Sequence, residues 1–300
     1  GNGTQGNSIT NMVENTFGIS PYISGAVITI LTGLVILGGV KSIAKVCEKL
    51  VPFMAGFYII GCIIILILNH AYVLDALKLI VSSAFTPKAA GGGFIGSTVM
   101  MAIRFGIARG LFTNEAGLGS APIVDAAAST RNPVRQGLIA MTGVFWDTVI
   151  VCALTGLVLV SSILRNPDGM SGLSGGALSS AAFANIPVVG PIVLTVGLIC
   201  FAWSTILGWS YYGERCWVYL CGQKAIMPFR IIYTLVVFVG SVMTLDAVWG
   251  IADILNASMA FPNLVALLGL SGVIAAETKK YLFNNNMDAW SDDEIPVVDK

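Results

Sequence analysis

The sequence has few charged residues. Only 11% of its 300 residues are Asp, Glu, Lys or Arg, and 56% are hydrophobic, whereas about 25% of residues are charged in an average soluble domain. The mean hydropathy is +0.84. Because so few charges cannot cover a globular surface in water, we predict an integral membrane protein in a lipid bilayer. The formal net charge of zero gives no indication of a nucleic-acid partner.

The sequence also lacks the common signatures of metal and catalytic chemistry. Its single histidine, His70, excludes most histidine-based metal sites and catalytic triads. The six cysteines show no CxxC spacing, and the HExxH, GxSxG and phosphate-loop patterns are absent. We therefore predict that the protein is not an enzyme.

The first residues, GNGTQGNSIT, contain neither a methionine nor a signal-peptide pattern. We interpret residues 1–20 as the end of a helix followed by a loop, and we expect the chain to be cut from a longer protein.

Apolar segments of membrane-spanning length, about 20 residues, recur along the chain. A short amphipathic helix is predicted within residues 71–93, and another short interfacial helix at TLDAVWGIADILNAS. The pattern predicts an all-α polytopic membrane protein with about seven spans. The predicted spans are Tyr22–Val40, Val51–Leu68, Phe94–Phe112, Gly137–Leu164, Val189–Tyr212, Phe229–Met243 and Met259–Ala276.

The positions of lysine and arginine predict the orientation of these spans. When the connection Lys41–Lys49 is placed inside and the spans alternate, the inside connections carry most of the positive charge. The outside connections then carry only Lys78, Lys88 and Arg165. This arrangement places the acidic C-terminal tail, residues 279–300, in the cytoplasm.

The stretch Arg109–Pro122, RGLFTNEAGLGSAP, follows an apolar segment and is unlike the rest of the chain. We predict that regular helix is lost after Phe112, which at membrane depth requires surrounding protein or a wet cavity. Half-helices at such a break expose amides and carbonyls that can bind ions. Alternatively, the helix simply ends and an ordinary loop follows. In either case Glu115 could pair with Arg109 or Arg104.

Asp147 lies about ten residues into a predicted span, and therefore about 15 Å from its end. An acid near the bilayer midplane is costly unless it has a partner. We interpret Asp147 as a cation ligand or a proton carrier. The alternative is a structural partner of Arg104 or Arg109.

In FAWSTILGWSYYGE, Phe201, Thr205 and Trp209 repeat every four residues and share one helix face, with Ser204 beside them. Two hydroxyls and the carbonyl one turn earlier can offer three oxygens to a hard monovalent cation. The alternative is structural, because Ser and Thr in membrane helices often bond back to that carbonyl.

The stretches GGVKSIAKVCEKLVPFMA, RGLFTNEAGLGSAP, FWDT and STILGWSYYGER together resemble the alanine or glycine:cation symporter family, the sodium:alanine symporters, over residues 1 to about 280. The resemblance implies a LeuT-like inverted-repeat fold, of which this chain looks like the C-terminal two-thirds. It implies a core helix end and extracellular loop at 1–20, the last two helices of the first repeat at 21–70, an extracellular amphipathic segment at 71–93, the second repeat at 94–278 and a cytoplasmic tail at 279–300.

The same resemblance implies Na⁺-coupled symport of small neutral amino acids such as alanine and glycine across the cell membrane by alternating access. It implies a Na⁺ site at Phe201, Ser204 and Thr205, with Asp147 beside a second ion. The family's first broken helix is not found in the sequence, so missing N-terminal helices of the same protein are the expected partner. The substrate-binding residues implied are Gln5, Phe112, Thr113, Asn114, Thr205 and Trp209.

Two other functions stay open from the residues. A proton-coupled amino-acid permease could use Asp147 or Glu115 as its carrier. A channel or a substrate sensor is the third hypothesis. The break in a single helix, rather than in a symmetric ring around a pore, disfavours the channel.

Overall fold

The computed structural model describes residues 1–85, 110, 112–173, 175–187 and 189–287. Within these ranges every regular element is helical and no strand occurs, which confirms the all-α prediction. A π-helical segment, Phe145–Cys152, joins α6 to α7. The α-helices are α1 Asn2–Phe17, α2 Pro21–Leu37, α3 Val40–Leu68, α4 His70–Phe85, α5 Ala121–Asp125, α6 Pro133–Val144, α7 Ala153–Arg165, α8 Pro167–Met170, α9 Gly175–Phe183, α10 Val189–Cys221, α11 Ile226–Val242, α12 Leu245–Gly269 and α13 Ser271–Thr278.

In the part of the chain that the structure describes, five helical stretches are long and apolar enough to cross a membrane. A sixth, α2, is apolar but shorter. These helices support a polytopic membrane protein. The predicted span Phe94–Phe112 falls almost entirely outside the described residues. The five stretches are Val40–Leu68, Pro133–Arg165, Val189–Cys221, Gln223–Val242 and Leu245–Gly269.

Two predicted helix boundaries differ most from the structure. The segment TLDAVWGIADILNAS is not a separate interfacial helix, because α12 runs without interruption from Leu245 to Gly269 and includes Pro262. The predicted span from Val51 instead begins at Val40, where Lys45 and Lys49 are exposed on the helix. Long lysine side chains can extend from a helix to polar surroundings, so a search for apolar windows starts this helix too late.

The chain divides into two compact units. The first contains Gly1–Arg109 and Ile150–Leu255, and the second contains Gly110–Val149 and Asn256–Lys300. In the first unit α1 packs against α2, α10 and α11, and α3 packs against α10. In the second unit α13 packs against α6.

Helices α1 and α11 approach closely where both carry small residues. A Cβ atom on Gly6 would lie 2.7 Å from the Ser241 hydroxyl oxygen. A Cβ atom on Gly240 would collide with the backbone of Gly3. Small residues at a helix interface let two backbones come together in the absence of a hydrophobic driving force between helices. Glycine is therefore required for this packing.

Side chains of α1 satisfy carbonyl groups at the end of α11. The Asn7 amide nitrogen donates to Gly240 O at 3.2 Å and to Met243 O at 2.7 Å. The Thr10 hydroxyl lies 2.8 Å from Ser241 O. The last four carbonyls of a helix have no partner within it, so α1 supplies partners that an apolar environment would not.

A buried ion pair joins α10 to the first turns of α11 and reaches the end of α2. Glu214 on α10 accepts from the Arg230 Nε at 2.7 Å and from Arg215 at 2.9 Å. A terminal nitrogen of Arg230 also donates to Leu37 O, at the end of α2. Gly39 leaves room for this guanidinium, because a Cβ there would lie 3.2 Å from it. Removing one partner of such a pair leaves an uncompensated charge.

We expect Gly240→Ala to lower the free energy of unfolding by about 1–3 kcal/mol, the usual cost of overpacking, because the new methyl group meets the Gly3 backbone. Thermal unfolding of the purified protein in detergent measures the change. Gly156→Ala is the control, because nothing lies within 4 Å of a Cβ atom at that position. Equal unfolding temperatures for the two variants would contradict the close contact.

Candidate functional site

Three oxygens meet on one side of α10 in the first unit. The hydroxyls of Ser204 and Thr205 each lie 2.9 Å from Phe201 O, to which both can donate. All three residues are half-buried. These are the bonds that the structural alternative predicts, and they also gather the three oxygens proposed as cation ligands. Rotating the two hydroxyl protons away from Phe201 O would free lone pairs on that carbonyl oxygen.

Trp209, one turn beyond Thr205, lies against the start of α1. A Cβ atom on Gly1 would be 3.0 Å from the indole ring, and the Tyr212 ring packs edge-on to it with centroids 5.8 Å apart. Gln5 is one turn along α1, with its backbone nitrogen bonded to Gly1 O. The structure thus brings Trp209 to the same end of α1 as Gln5.

The predicted loss of regular helix is confirmed in the second unit. Phe112 and Thr113 are helical, turns and a bend occupy residues 114–119, and the five-residue helix α5 follows. Backbone φ is positive at Glu115, Gly117 and Gly119, with values of 52°, 76° and 80°. A continuous α-helix requires negative φ, so the segment is irregular by conformation.

The Glu115 carboxylate accepts a hydrogen bond from the Ser120 hydroxyl at 2.8 Å, which closes the irregular turn on itself. The predicted pairing of Glu115 or Asp147 with Arg104 or Arg109 falls outside the described residues.

Asn114 is held at both ends of its amide. Its nitrogen donates to Gly110 O at 3.0 Å, and its oxygen accepts from the Thr148 hydroxyl at 2.8 Å. Thr148 was not singled out from the sequence, although it follows Asp147 directly. It ties the irregular segment to the π-helical segment, and π-helical turns occur frequently at functional sites.

A groove of about 540 Å³ lies between the irregular segment and α6. Thr113, Asn114 and Asp147 line it, so the structure brings these three predicted site residues together. Glu115 and Asp125 add two further carboxylates. Within the described part of the chain, the Asp147 Oδ2 is buried without a hydrogen-bond partner. The groove therefore contains an acid oxygen with free capacity to bind a proton or a cation.

Two residues of α12 contact the glycines of the irregular segment. A Cβ atom on Gly119 would lie 2.9 Å from the Asn263 side-chain oxygen, and one on Gly117 would lie 3.7 Å from Leu264. Sequence reasoning did not single out Asn263. The signal that could have found it is an amide directly after Pro262 in the apolar second half of α12. Its position requires glycine at 119.

Among the residues that the structure describes, no three His, Cys, Asp or Glu side chains are grouped as ligands for a metal ion. The oxygens of α10 and the carboxylates of the groove around Asp147 are of the type that a hard monovalent cation takes as ligands.

Comparison with known proteins connects these features to one family. The model of the sodium:alanine symporter family matches residues 1–294. An uncharacterized transporter of Haemophilus influenzae is 49% identical over 97% of this chain and 64% of its own length. The sodium/alanine symporter AgcS of Methanococcus maripaludis is 49% identical over 94% of this chain and 61% of its length. A sodium/proton-dependent alanine carrier protein of Bacillus sp. is 32% identical over 89% and 62%. The chain spans less than two thirds of the length of each of these relatives.

We expect Gly119→Ala to destabilise the protein more than Gly117→Ala. Both substitutions force alanine into a left-handed conformation, at a cost of about 1–2 kcal/mol, but only position 119 also meets the Asn263 amide. Thermal unfolding in detergent compares the two variants. In an Asn263→Ala background the difference should shrink, because only the Asn263 Cβ atom, 3.2 Å from a Cβ at position 119, remains. An unchanged difference would show that the Asn263 amide is not its cause.

Proposed function

Because the chain belongs to the sodium:alanine symporter family, we propose that the protein containing it couples Na⁺ entry to uptake of a small neutral amino acid, alanine or glycine. The membrane-spanning helices suit a transporter of the cell membrane. The family consists of transporters, and the protein is accordingly not an enzyme.

We further propose the LeuT-like arrangement for the fold, with the second repeat at residues 94–278 and seven spans in this chain. The positive-inside distribution of lysine and arginine supports the alternation of spans and a cytoplasmic C-terminus. Alternating access in such folds moves one group of helices against another around a fixed site.

The observation that carries the proposal is the group of three oxygens on α10. The hydroxyls of Ser204 and Thr205 each lie within hydrogen-bonding distance of Phe201 O. A hard cation such as Na⁺ binds carbonyl and hydroxyl oxygens. We assign these three residues as Na⁺ ligands. Bound Na⁺ would favour the conformation that binds the amino acid, so that the two affinities are reciprocally linked.

On the first unit, we assign Gln5, Thr205 and Trp209 to substrate binding. The half-buried Trp209 indole limits the space beside the start of α1, which suits a small side chain. On the second unit, we assign the same role to Phe112, Thr113 and Asn114. The irregular backbone there leaves amide and carbonyl groups outside a helical ladder, and such groups can recognise an amino acid's ammonium and carboxylate.

A second candidate is coupling to protons, which the Asp147 oxygen without a hydrogen-bond partner favours. The printed name of the Bacillus sp. relative, a sodium/proton-dependent alanine carrier protein, makes the choice of ion worth a direct test. In the Na⁺ mechanism, Asp147 would instead help bind a second ion.

We expect Thr205→Ala to abolish Na⁺-driven accumulation of radiolabelled alanine in liposomes containing the full-length protein. The substitution removes one of three proposed ligands, while the helix keeps its backbone bonds. Uptake is measured with and without an inward Na⁺ gradient. Thr234→Ala is a suitable control, because the Thr234 hydroxyl makes the same type of bond to a carbonyl four residues earlier on a helix without proposed ligands.

Accumulation that continues without Na⁺, collapses with a protonophore and is lost in Asp147→Asn would overturn the Na⁺ assignment and establish the proton-coupled candidate. Accumulation of alanine in neither condition would contradict both.

We expect Trp209→Ala to widen the substrate range. Removing the indole creates space beside the start of α1, so valine and leucine should compete with labelled alanine better than they do in the wild-type protein. Competition assays with alanine, valine and leucine measure the ratio of inhibition constants. An unchanged order of preference would remove Trp209 from the determinants of substrate size.

A further inference from the structure

The carbonyl of Phe201 has more donors than lone pairs. The hydroxyls of Ser204 and Thr205 both lie 2.9 Å from it, and the regular ladder of α10 also directs the backbone N–H of Thr205 at it. A carbonyl oxygen has two lone pairs, and each hydroxyl has one proton. The two hydroxyl protons therefore compete for this oxygen.

The Phe201 carbonyl cannot bind a cation while hydroxyl protons occupy its lone pairs, although each hydroxyl oxygen keeps lone pairs of its own. A positive ion repels the O–H hydrogens and needs the lone pairs of both hydroxyls and of the carbonyl. Each hydroxyl proton must therefore rotate to an acceptor elsewhere. Such an acceptor has to be close, because an unsatisfied buried hydroxyl costs free energy.

Ser204 has a second acceptor, the thioether of Met54. The Ser204 hydroxyl oxygen lies 3.7 Å from the Met54 sulfur, within hydrogen-bonding distance for sulfur. Met54 is 6% exposed and sits on α3. One turn later on the same face, the Tyr58 ring packs edge-on against Phe201 with centroids 5.6 Å apart. The contact between α3 and α10 thus holds the sulfur beside the proposed ligands.

We infer that Met54 is a positioning residue for the cation site: its sulfur accepts the Ser204 proton when the Ser204 oxygen turns to the ion. The inference rests on the proposed Na⁺ site at Phe201, Ser204 and Thr205. A thioether accepts but never donates a hydrogen bond, so it orients the hydroxyl in one way only. Groups that orient the ligands of a metal ion tune its affinity.

The first test is Met54→Leu, which conserves volume and removes the acceptor. The half-saturating Na⁺ concentration for alanine uptake should rise about two- to tenfold, the range of one ordinary hydrogen bond. The maximal rate at saturating Na⁺ should stay near that of the wild-type protein. A purely structural role would instead lower the maximal rate or the amount of folded protein and leave the Na⁺ dependence unchanged.

Met12→Leu is a matched control. The Met12 sulfur also lies near two hydroxyls, 3.7 Å from Thr16 and 3.9 Å from Ser180, and Met12 is 5% exposed. It makes no contact with the proposed ligands in any bond that the structure describes. Loss of this buried thioether should leave the half-saturating Na⁺ concentration unchanged.

A double-mutant cycle with Ser204→Ala tests the route of the effect; it is read as the NaCl concentration that half-saturates stabilisation of the detergent-solubilised protein, because loss of a proposed ligand removes uptake itself. In that background Met54→Leu should cause no further change in Na⁺ dependence, because the hydroxyl that needs the acceptor is gone. An equal rise in both backgrounds would overturn the inference, as would wild-type Na⁺ dependence in Met54→Leu.

If Met54→Leu does not fold, Met54→Gln is the second variant, because its amide oxygen restores an acceptor. A half-saturating Na⁺ concentration near that of the wild-type protein supports the inference, and a raised one overturns it.

Failure of the inference differs from failure of the proposed function. If the wild-type protein shows no Na⁺ dependence, the ion site itself is wrong. If wild-type uptake depends on Na⁺ and on Ser204 but not on Met54, only the inference fails. The stabilisation of the detergent-solubilised protein by NaCl over choline chloride, measured in each variant, gives a second reading of Na⁺ affinity that is independent of transport.

Discussion

The first unit depends on how α1 satisfies the end of α11. In an apolar environment the last carbonyls of a helix have no water to bond, and Asn7 and Thr10 supply their donors. Asn7 also accepts from Asn11 at 2.7 Å, so its amide is satisfied at both ends. These bonds need the two backbones to be close, and Gly3, Gly6 and Gly240 make that approach possible.

The consequences extend to α10, because α1 packs on α10 as well as on α11. Thr16 on α1 shares a hydrogen bond with Thr195 on α10, and the indole of Trp209 faces Gly1. α1 thus contacts α10 at two separate positions along its length, near Thr195 and near Trp209. The hydroxyls of Ser204 and Thr205 belong to a helix that has little freedom to shift.

Much of this could be predicted from the sequence, because it depends on periodicity and composition. The helices, the loss of helix before Asn114 and the shared face of Phe201, Thr205 and Trp209 all follow from local spacing. Contacts between distant segments could not be predicted. Nothing local indicates that Met54 meets Ser204, that Asn263 meets Gly119, or that Asn7 donates to the end of α11.

The wrong helix boundaries have a different cause, which is local. Lys45 and Lys49 look like part of a loop because averaging over a window ignores which helix face carries a charge. Asp246 and Asp253 similarly made the first turns of α12 look too polar to continue into a span. In both cases the charged side chains are exposed on the helix surface. The stretch that contains them is therefore part of the helix and makes it longer than predicted.

The ion pair between Glu214 and Arg230 has a consequence for how this family can vary. Arg230 uses different nitrogens for the Glu214 carboxylate and for Leu37 O, which a lysine with its single nitrogen cannot do. Gly39 leaves the space that the guanidinium occupies. Positions 39, 214 and 230 should therefore covary. A homologous sequence in which one of the three residues is replaced should carry replacements at the other two positions as well.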